Sequence, residues 1–391
     1  MIPDGVSRGI RNFKNIVPQV DAWNASVQRQ LTPTLNLTLS YVGNKGTHTT
    51  GDGADYNLNQ PTNQGYFPGC NDITLANGRL APNAICTANN AATPKQRTPF
   101  YGTSALYPFP SVVDFGNYGW TGGDRYQSAD LNSKYNALVI QADKRFSNGL
   151  SFQSSYTFQH AVSVNGGPEV GWARYNNINP GVTYGPNEDY RNQDFILTQV
   201  YELPFGKGKK WASDVGTAAN ALVGGWSINS ATDFSSGLPW TPGLNSCSQS
   251  IDQGPCIADV VGPVKDGPRS GHPNTPGYWY QTTNGVQLRT RGATAGPWGQ
   301  TATLDAFGNG GGGINQFRGP RFFNASASLF KTFSLGERFK AQAEFKVYNL
   351  FNHVNLDRPD RCVDCSTGGQ ITGLTQGAIM RRIEYGLKFN F

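Results

Sequence analysis

Arg381-Arg382-Ile383-Glu384-Tyr385-Gly386-Leu387-Lys388-Phe389-Asn390-Phe391, the last stretch of the chain, decides the fold. Ile383, Tyr385, Leu387, Phe389 and Phe391 share one parity, whereas Arg382, Glu384, Lys388 and Asn390 share the other. Successive side chains of a strand point to opposite faces, so this alternation predicts extended backbone with one apolar and one polar face. Residues 338–348 repeat it, with Phe339, Ala341, Ala343, Phe345 and Val347 set against Lys340, Gln342, Glu344 and Lys346.

The same period extends upstream. Trp23, Ala25 and Val27, then Thr32-Pro33-Thr34, then Leu35, Leu37, Leu39 and Tyr41 predict a hairpin, and so do Leu138, Ile140 and Ala142, Ser147-Asn148-Gly149, and Leu150, Phe152, Ser154, Tyr156 and Phe158. Further strands are expected at about 193–203, 223–236 and 320–333. They exceed the usual 5–6 residues of globular strands and suit a tilted membrane crossing of about 9–11 residues. Short turns at 32–34, 147–149 and 334–337 and a medium one near 204–222 alternate with long segments at about 44–133, 161–192, 237–319 and 349–378. In an up-and-down sheet this places every long loop at one end, the layout of an outer-membrane barrel with its short turns in the periplasm. The expectation is therefore an all-β, antiparallel up-and-down transmembrane β-barrel of about nine or ten strands with long extracellular loops. A secreted soluble β-sandwich binding carbohydrate is the alternative, but its loops would cluster at both ends.

Composition sets the outer limits. In 391 residues, 32 Lys and Arg stand against 26 Asp and Glu, a net charge of +6 with no basic block. That argues against a nucleic-acid surface. Charged residues make up 15% of the chain, below the roughly 25% of soluble domains. No run approaches the roughly 20 apolar residues of a membrane helix, which excludes a helical membrane protein but not a barrel. Glycine (48) and proline (24) are dense enough to favour short elements and long loops.

All six cysteines fall on the long-loop side as local pairs, Cys70 with Cys86, Cys247 with Cys256 and Cys362 with Cys365. Such pairs suit disulfides in an oxidising compartment, each restricting a long loop. For Cys362-Val363-Asp364-Cys365 the rival readings are a redox dithiol, which wants a βαβ context, and half a zinc site, which wants a second CxxC; neither companion occurs. The start, Met1-Ile2-Pro3-Asp4-Gly5, shows no basic segment leading into an apolar core. With an odd strand count where complete bacterial barrels have an even one, the expectation is that residues 1–391 are the carboxy-terminal part of a longer barrel protein, with signal peptide and plug domain absent.

From Gly319-Pro320-Arg321-Phe322-Phe323-Asn324 through Leu329-Phe330-Lys331-Thr332-Phe333 and Ala343-Glu344-Phe345 to Tyr348-Asn349-Leu350-Phe351-Asn352-His353, the chain resembles the carboxy-terminal barrel of TonB-dependent outer-membrane receptors, and within them the Oar-like group with its carboxypeptidase-regulatory-like domain. Tyr41-Val42-Gly43-Asn44-Lys45-Gly46, Tyr135-Asn136-Ala137-Leu138 and Tyr201-Glu202-Leu203-Pro204-Phe205-Gly206-Lys207-Gly208 support this resemblance, which thins in the long loops. It implies ligand uptake across the outer membrane of a Gram-negative bacterium, driven by TonB through a plug that this chain lacks. A passive porin-like or adhesin-like barrel is the rival. The partners so implied are outer-membrane lipid, the barrel assembly machinery, TonB and an unidentified ligand.

No catalytic constellation stands out. His48, His160, His272 and His353 form no HExxH, and no GxSxG marks a nucleophile. No enzyme activity, metal or cofactor is expected. The run Gly308-Asn309-Gly310-Gly311-Gly312-Gly313 lacks the Lys-Ser/Thr of a phosphate cradle and is expected to be a flexible loop tip. Ligand recognition is expected from loop aromatics, namely Tyr107, Trp120, Trp172, Trp240, Tyr278, Trp279 and Trp298, which can equally pack loops together. Lys207, Lys209, Lys210 and Trp211 mark either an interfacial anchor or a solvated turn. Tyr385, Phe389 and Phe391 resemble the terminal aromatic signal by which barrels are recognised for assembly.

Overall fold

The computed structural model describes residues 9–11, 16–49, 56–57, 125–127, 129, 131–164, 180–245, 257–267, 277–288, 292–300, 308–334 and 339–390. Tyr107, Trp120, Trp172, His272, Phe391 and the cysteines at 70, 86, 247 and 256 lie outside the described residues.

Among the described residues nine long strands follow one another: β1 (Gln19–Thr32), β2 (Leu35–Thr49), β3 (Leu131–Ser147), β4 (Leu150–Ser163), β5 (Gln193–Glu202), β6 (Trp226–Ser235), β7 (Phe322–Ser334), β8 (Lys340–Tyr348) and β9 (Arg382–Asn390). Each pairs antiparallel with its neighbour in sequence, in the order β1 to β9. Gly185–Pro186 adds a short rung to the end of β4. Among the described residues no ladder joins β1 to β9, so both are edges of an open meander.

The register carries the apolar parity unbroken across the sheet. One row runs Val27, Leu39, Ile140, Tyr156, Phe195, Phe234, Phe323. A second runs Leu150, Tyr201, Ile228, Leu329, Phe345, Tyr385. On the other face lies Gln30, Asn36, Asp143, Gln153, Thr198, Ala231, Ser326. A one-residue slip at any rung would exchange the two faces, so the pattern fixes the pairing.

A sandwich would bury the apolar parity under a second sheet. Val27 is instead 69% exposed, Leu387 63% and Tyr385 80%. Apolar side chains presented outward in continuous rows are what a lipid-facing wall requires.

The tight turns explain how the strands reverse. Asn148 and Gly149 both have positive φ, 51° and 77°, the conformation that a two-residue hairpin favours and that Asn-Gly tolerates. The β1–β2 pair also needs a glycine. A Cβ on Gly43 would come within 2.3 Å of the Trp23 indole on its register partner, so glycine lets that ring lie across the strand. The expected medium turn near 204–222 holds a short helix, α1 (Thr217–Val223), and the strand expected from 223 starts at Trp226.

Candidate functional site: a folded loop layer at the strand ends

At the long-loop end, the segments between β6 and β7 and between β8 and β9 fold against each other. Pro239–Trp240 pairs with Phe317–Arg318, and Trp298–Gly299 lies between Asp259–Val260 and Thr294–Ala295. Single bridges join Gly243 to Cys362 and Tyr278 to Gln370. The result is a separate small core of Trp240, Leu244, Ala258, Tyr280, Leu288, Trp298 and Val363. Trp240 stacks on Tyr280 with centroids 4.7 Å apart and lies 5.1 Å from Phe317, while Tyr280 meets Trp298 edge-on at 5.6 Å. Rings in offset or edge contact add to what their buried area contributes.

Two of the polar groups within this core are satisfied locally, whereas the buried Trp240 indole N–H has no hydrogen-bond partner. Tyr280 donates its hydroxyl to the Asp360 carbonyl at 2.6 Å, and the Trp298 indole donates to the Gln281 carbonyl. Burial, then the charge of Asp360, push the Tyr280 phenol well above its ordinary pKa. Asp364 is buried and accepts from the backbone N–H of Asn245 at 2.6 Å and of Leu288 at 3.0 Å, tying three segments together. Beside it, Cys362 and Cys365 form a disulfide, with Cα atoms 5.4 Å apart. Their sulfurs and the Asp364 carboxylate lie within 4.8 Å of one another, but the sulfurs are bonded to each other and the carboxylate is taken by backbone donors. This trio offers no thiolate for redox or metal chemistry as it stands.

The layer is tied to the strand ends by side chains that the sequence did not single out. Arg191 donates to the Ser236 carbonyl at 2.6 Å and to Thr375 Oγ1 at 3.3 Å. Burial lowers its pKa, and Asp194, Asp233 and Asp357 oppose that shift. Arg318 donates to Asn192 Oδ1 at 2.8 Å, and Arg358 lies 3.7 Å from Glu188. The Asn355 amide pairs with both backbone groups of Phe323, at 2.7 and 2.9 Å, as an extra strand would. In Tyr348-Asn349-Leu350-Phe351-Asn352-His353, Asn349 and Asn352 take positive φ, 48° and 51°, and the Asn349 amide donates to the carbonyls of His353 and Ile379. This stretch is the turn that leaves β8. Asparagine tolerance of left-handed backbone was the available signal for it; nothing in the sequence marked Arg191 or Asp364.

The structure separates the expected ligand aromatics. Trp240 and Trp298 are 1% and 0% exposed and support the layer from within. Trp279 is half-buried and donates to the Arg318 carbonyl, and Tyr278 is half-buried beside Gln370. The glycine run is not a floppy tip. Gly310 to Gly313 all have positive φ, the Gly310 N–H reaches the Ala258 carbonyl, and Asn309 exchanges hydrogen bonds with Asp259 and Val260. A Cβ on Gly308 would lie within 1.9 Å of the Ile257 carbonyl oxygen, so glycine is needed for close packing there rather than for looseness. The histidines are dispersed: His48 contacts the Ala129 carbonyl, His160 lies in β4 opposite Asn136, and His353 contacts Asn355 and the edge of Phe323. On the polar face near the short-turn end, a shallow concavity is lined by Asp143, Arg145, Gln153, Thr198 and Asn229.

Comparison with known proteins follows the same lines. A search of curated proteins finds no match. Among solved structures, the chain aligns with the ferric-catecholate import receptor Fiu from K12 E. coli at 10% identity and TM-score 0.36, covering 95% of this chain and 27% of that one. It aligns with the outer membrane transporter YddB from Escherichia coli at 7% identity and TM-score 0.37, covering 98% and 34%. With P. aeruginosa FpvA, solved with heterologous pyoverdines, identity is 9% and TM-score 0.33, covering 94% and 27%. The chain thus spans about a third or less of those proteins, and these distant likenesses carry none of the assignment. A family profile described as outer membrane beta barrel domain matches residues 3–384. With an outward apolar wall, a polar inner face and all long loops at one end, the chain belongs to the outer membrane beta barrel family and is a barrel of the Gram-negative outer membrane.

Proposed function

We propose that this chain is the carboxy-terminal barrel portion of a TonB-dependent receptor of the Oar-like group, which takes up a ligand through the outer membrane. The observation that carries this reading is the loop layer. Its long loops are consolidated around their own core of Trp240, Tyr280, Leu288 and Trp298 and tied to the strand ends by Arg191 and Asn355, which presents a preordered outer face. A receptor needs such a face, because a preordered surface loses less entropy when ligand binds. Trp279 and Tyr278, half-buried at this layer, are proposed as ligand contacts, together with Trp120 and Trp172, which lie outside the described residues. Trp240 and Trp298 are proposed to support them from beneath. Cys70 with Cys86 and Cys247 with Cys256 are proposed as disulfides, and Tyr385, Phe389 and Phe391 as the assembly signal.

TonB dependence is tested on the intact receptor with two probes. The purified periplasmic domain of TonB is expected to capture it from solubilised outer membranes, and the receptor in a planar bilayer is expected to show no steady conductance. An ohmic open channel without TonB capture would replace this reading with the passive barrel.

A further inference from the structure

Among the described short-turn connections, one is built unlike the others. Residues 203–225, between β5 and β6, fold into a set of close turns followed by α1. The carboxy-terminal end of α1 is pinned from the side. Lys331 Nζ donates to the carbonyls of Leu222 and Gly224, and Trp226 Nε1 donates to the Leu222 carbonyl at 2.9 Å. Trp226 and Lys331 are register partners and share the parity of Ile228 and Leu329. Both therefore belong to the apolar wall, and α1 is held against the outside of the barrel rather than over its lumen. Lysine donors at a helix carboxy terminus satisfy its last carbonyls, so a cation on a lipid-facing wall here has a structural partner.

The surface of this element does not suit water. α1 reads Thr-Ala-Ala-Asn-Ala-Leu-Val, without a charge and without a buried residue. Its one side-chain tether to the turn is Asn220 Oδ1, which accepts the Lys207 N–H at 2.7 Å. Leu222 is 74% exposed, and Val223, Trp211 and Phe205 of the same connection are exposed as well. Basic residues flank this apolar patch: residues 203–225 carry Lys207, Lys209 and Lys210 against the single acid Asp214. Lys209 pairs with Glu202 at 3.0 Å, and Lys210 lies over the Trp211 ring at 5.7 Å. The neighbouring rim of the wall has the same character, with Lys144 and Lys331 among Phe152, Tyr201, Trp226 and Phe333. Aromatic and basic residues concentrate where acyl chains meet headgroups.

We infer that residues 203–225 form an interfacial foot on the periplasmic leaflet of the outer membrane. Leu222 and Val223 enter the acyl boundary, and Lys207 and Lys210 meet the phosphates of anionic phospholipid headgroups. Two features select that occupant. The patch is continuous with the lipid-facing wall, and its net positive charge complements acidic headgroups. The inference rests on the lipid-facing wall and not on ligand uptake, so the two fail separately.

The test places single thiols by Leu222→Cys and Asp214→Cys in the full chain, assembled in the outer membrane and transferred to nanodiscs of phosphatidylcholine with phosphatidylglycerol. Heat-modifiable migration reports folding, and Ala218→Cys replaces Leu222→Cys if that variant does not assemble. A membrane-impermeant maleimide is expected to label position 222 at least about tenfold more slowly than position 214, above the background of the unsubstituted chain. That ratio is expected to shrink when Lys207→Gln and Lys210→Gln are combined, and again when phosphatidylglycerol is omitted. Labelling of the two positions within about twofold of each other overturns the foot. A protected position 222 that is indifferent to both lysines and to anionic lipid overturns headgroup recognition.

Discussion

Asp364 shows how a single side chain holds the loop layer. It is 1% exposed, and its two carboxylate oxygens take the N–H groups of Asn245 and Leu288. Asp364→Ala strands both donors, each at a cost of about 1–3 kcal/mol. We expect faster proteolysis and hydrogen exchange of residues 236–321 and 349–381, with heat-modifiable migration of the barrel unchanged. Tyr280 gives the layer a pH limit. Its phenol pKa is raised in the folded state, so folding favours the neutral form. The stabilisation is whole below the unfolded value of about 10 and is lost as pH rises beyond it. Near-UV circular dichroism of the loop tryptophans should therefore fall above about pH 10. Tyr280→Phe should remove that step, at a cost of about 1 kcal/mol for the lost bond to Asp360.

Among the strands, parity decides the outcome of a substitution. Ile140 and Gln141 are adjacent in β3 yet face lipid and lumen respectively. Ile140→Arg places a cation on the lipid face and should cost about 2–4 kcal/mol in urea titrations of the chain folded in vesicles, whereas Gln141→Arg should cost far less. Equal losses would contradict the assignment of faces. At the other edge, β9 pairs with β8 from Tyr348↔Arg382 to Lys340↔Asn390. Deleting Phe389 through Phe391 removes the last rungs of this ladder together with the terminal aromatics, and folded protein in the outer-membrane fraction of the full-length receptor should drop. Normal amounts of heat-modifiable protein would count against an assembly role.

The molecule as a whole joins two kinds of stability. The meander is a lipid-solvated wall whose backbone groups must pair strand to strand. The loop layer packs around a core of aromatics, with the Cys362–Cys365 disulfide closing one local turn and Arg191, Arg318 and Asn355 fastening the layer to the strand ends. The first was legible in the sequence: Leu37, Leu39 and Tyr41 alternate with Asn36, Thr38 and Ser40, and β2 runs through them. The second was legible only as composition. For Trp240 and Trp298 the sequence allowed either ligand contact or loop packing, and both are buried; residue type cannot tell an exposed ring from one covered by a distant segment.

Alternation is a property of the strand backbone, and lipid on one face with water on the other writes it into every crossing. For this reason the amino-acid order alone marked about nine or ten strands, their two faces and the end from which the long connections leave. Asp364 meets partners 119 and 76 residues away, and Lys331 reaches a helix end more than a hundred positions upstream. Contacts of that span follow no local period. Only the tertiary structure decided which aromatics are buried, how the loops fasten to the strand ends, and that Trp226 and Lys331 hold the end of α1.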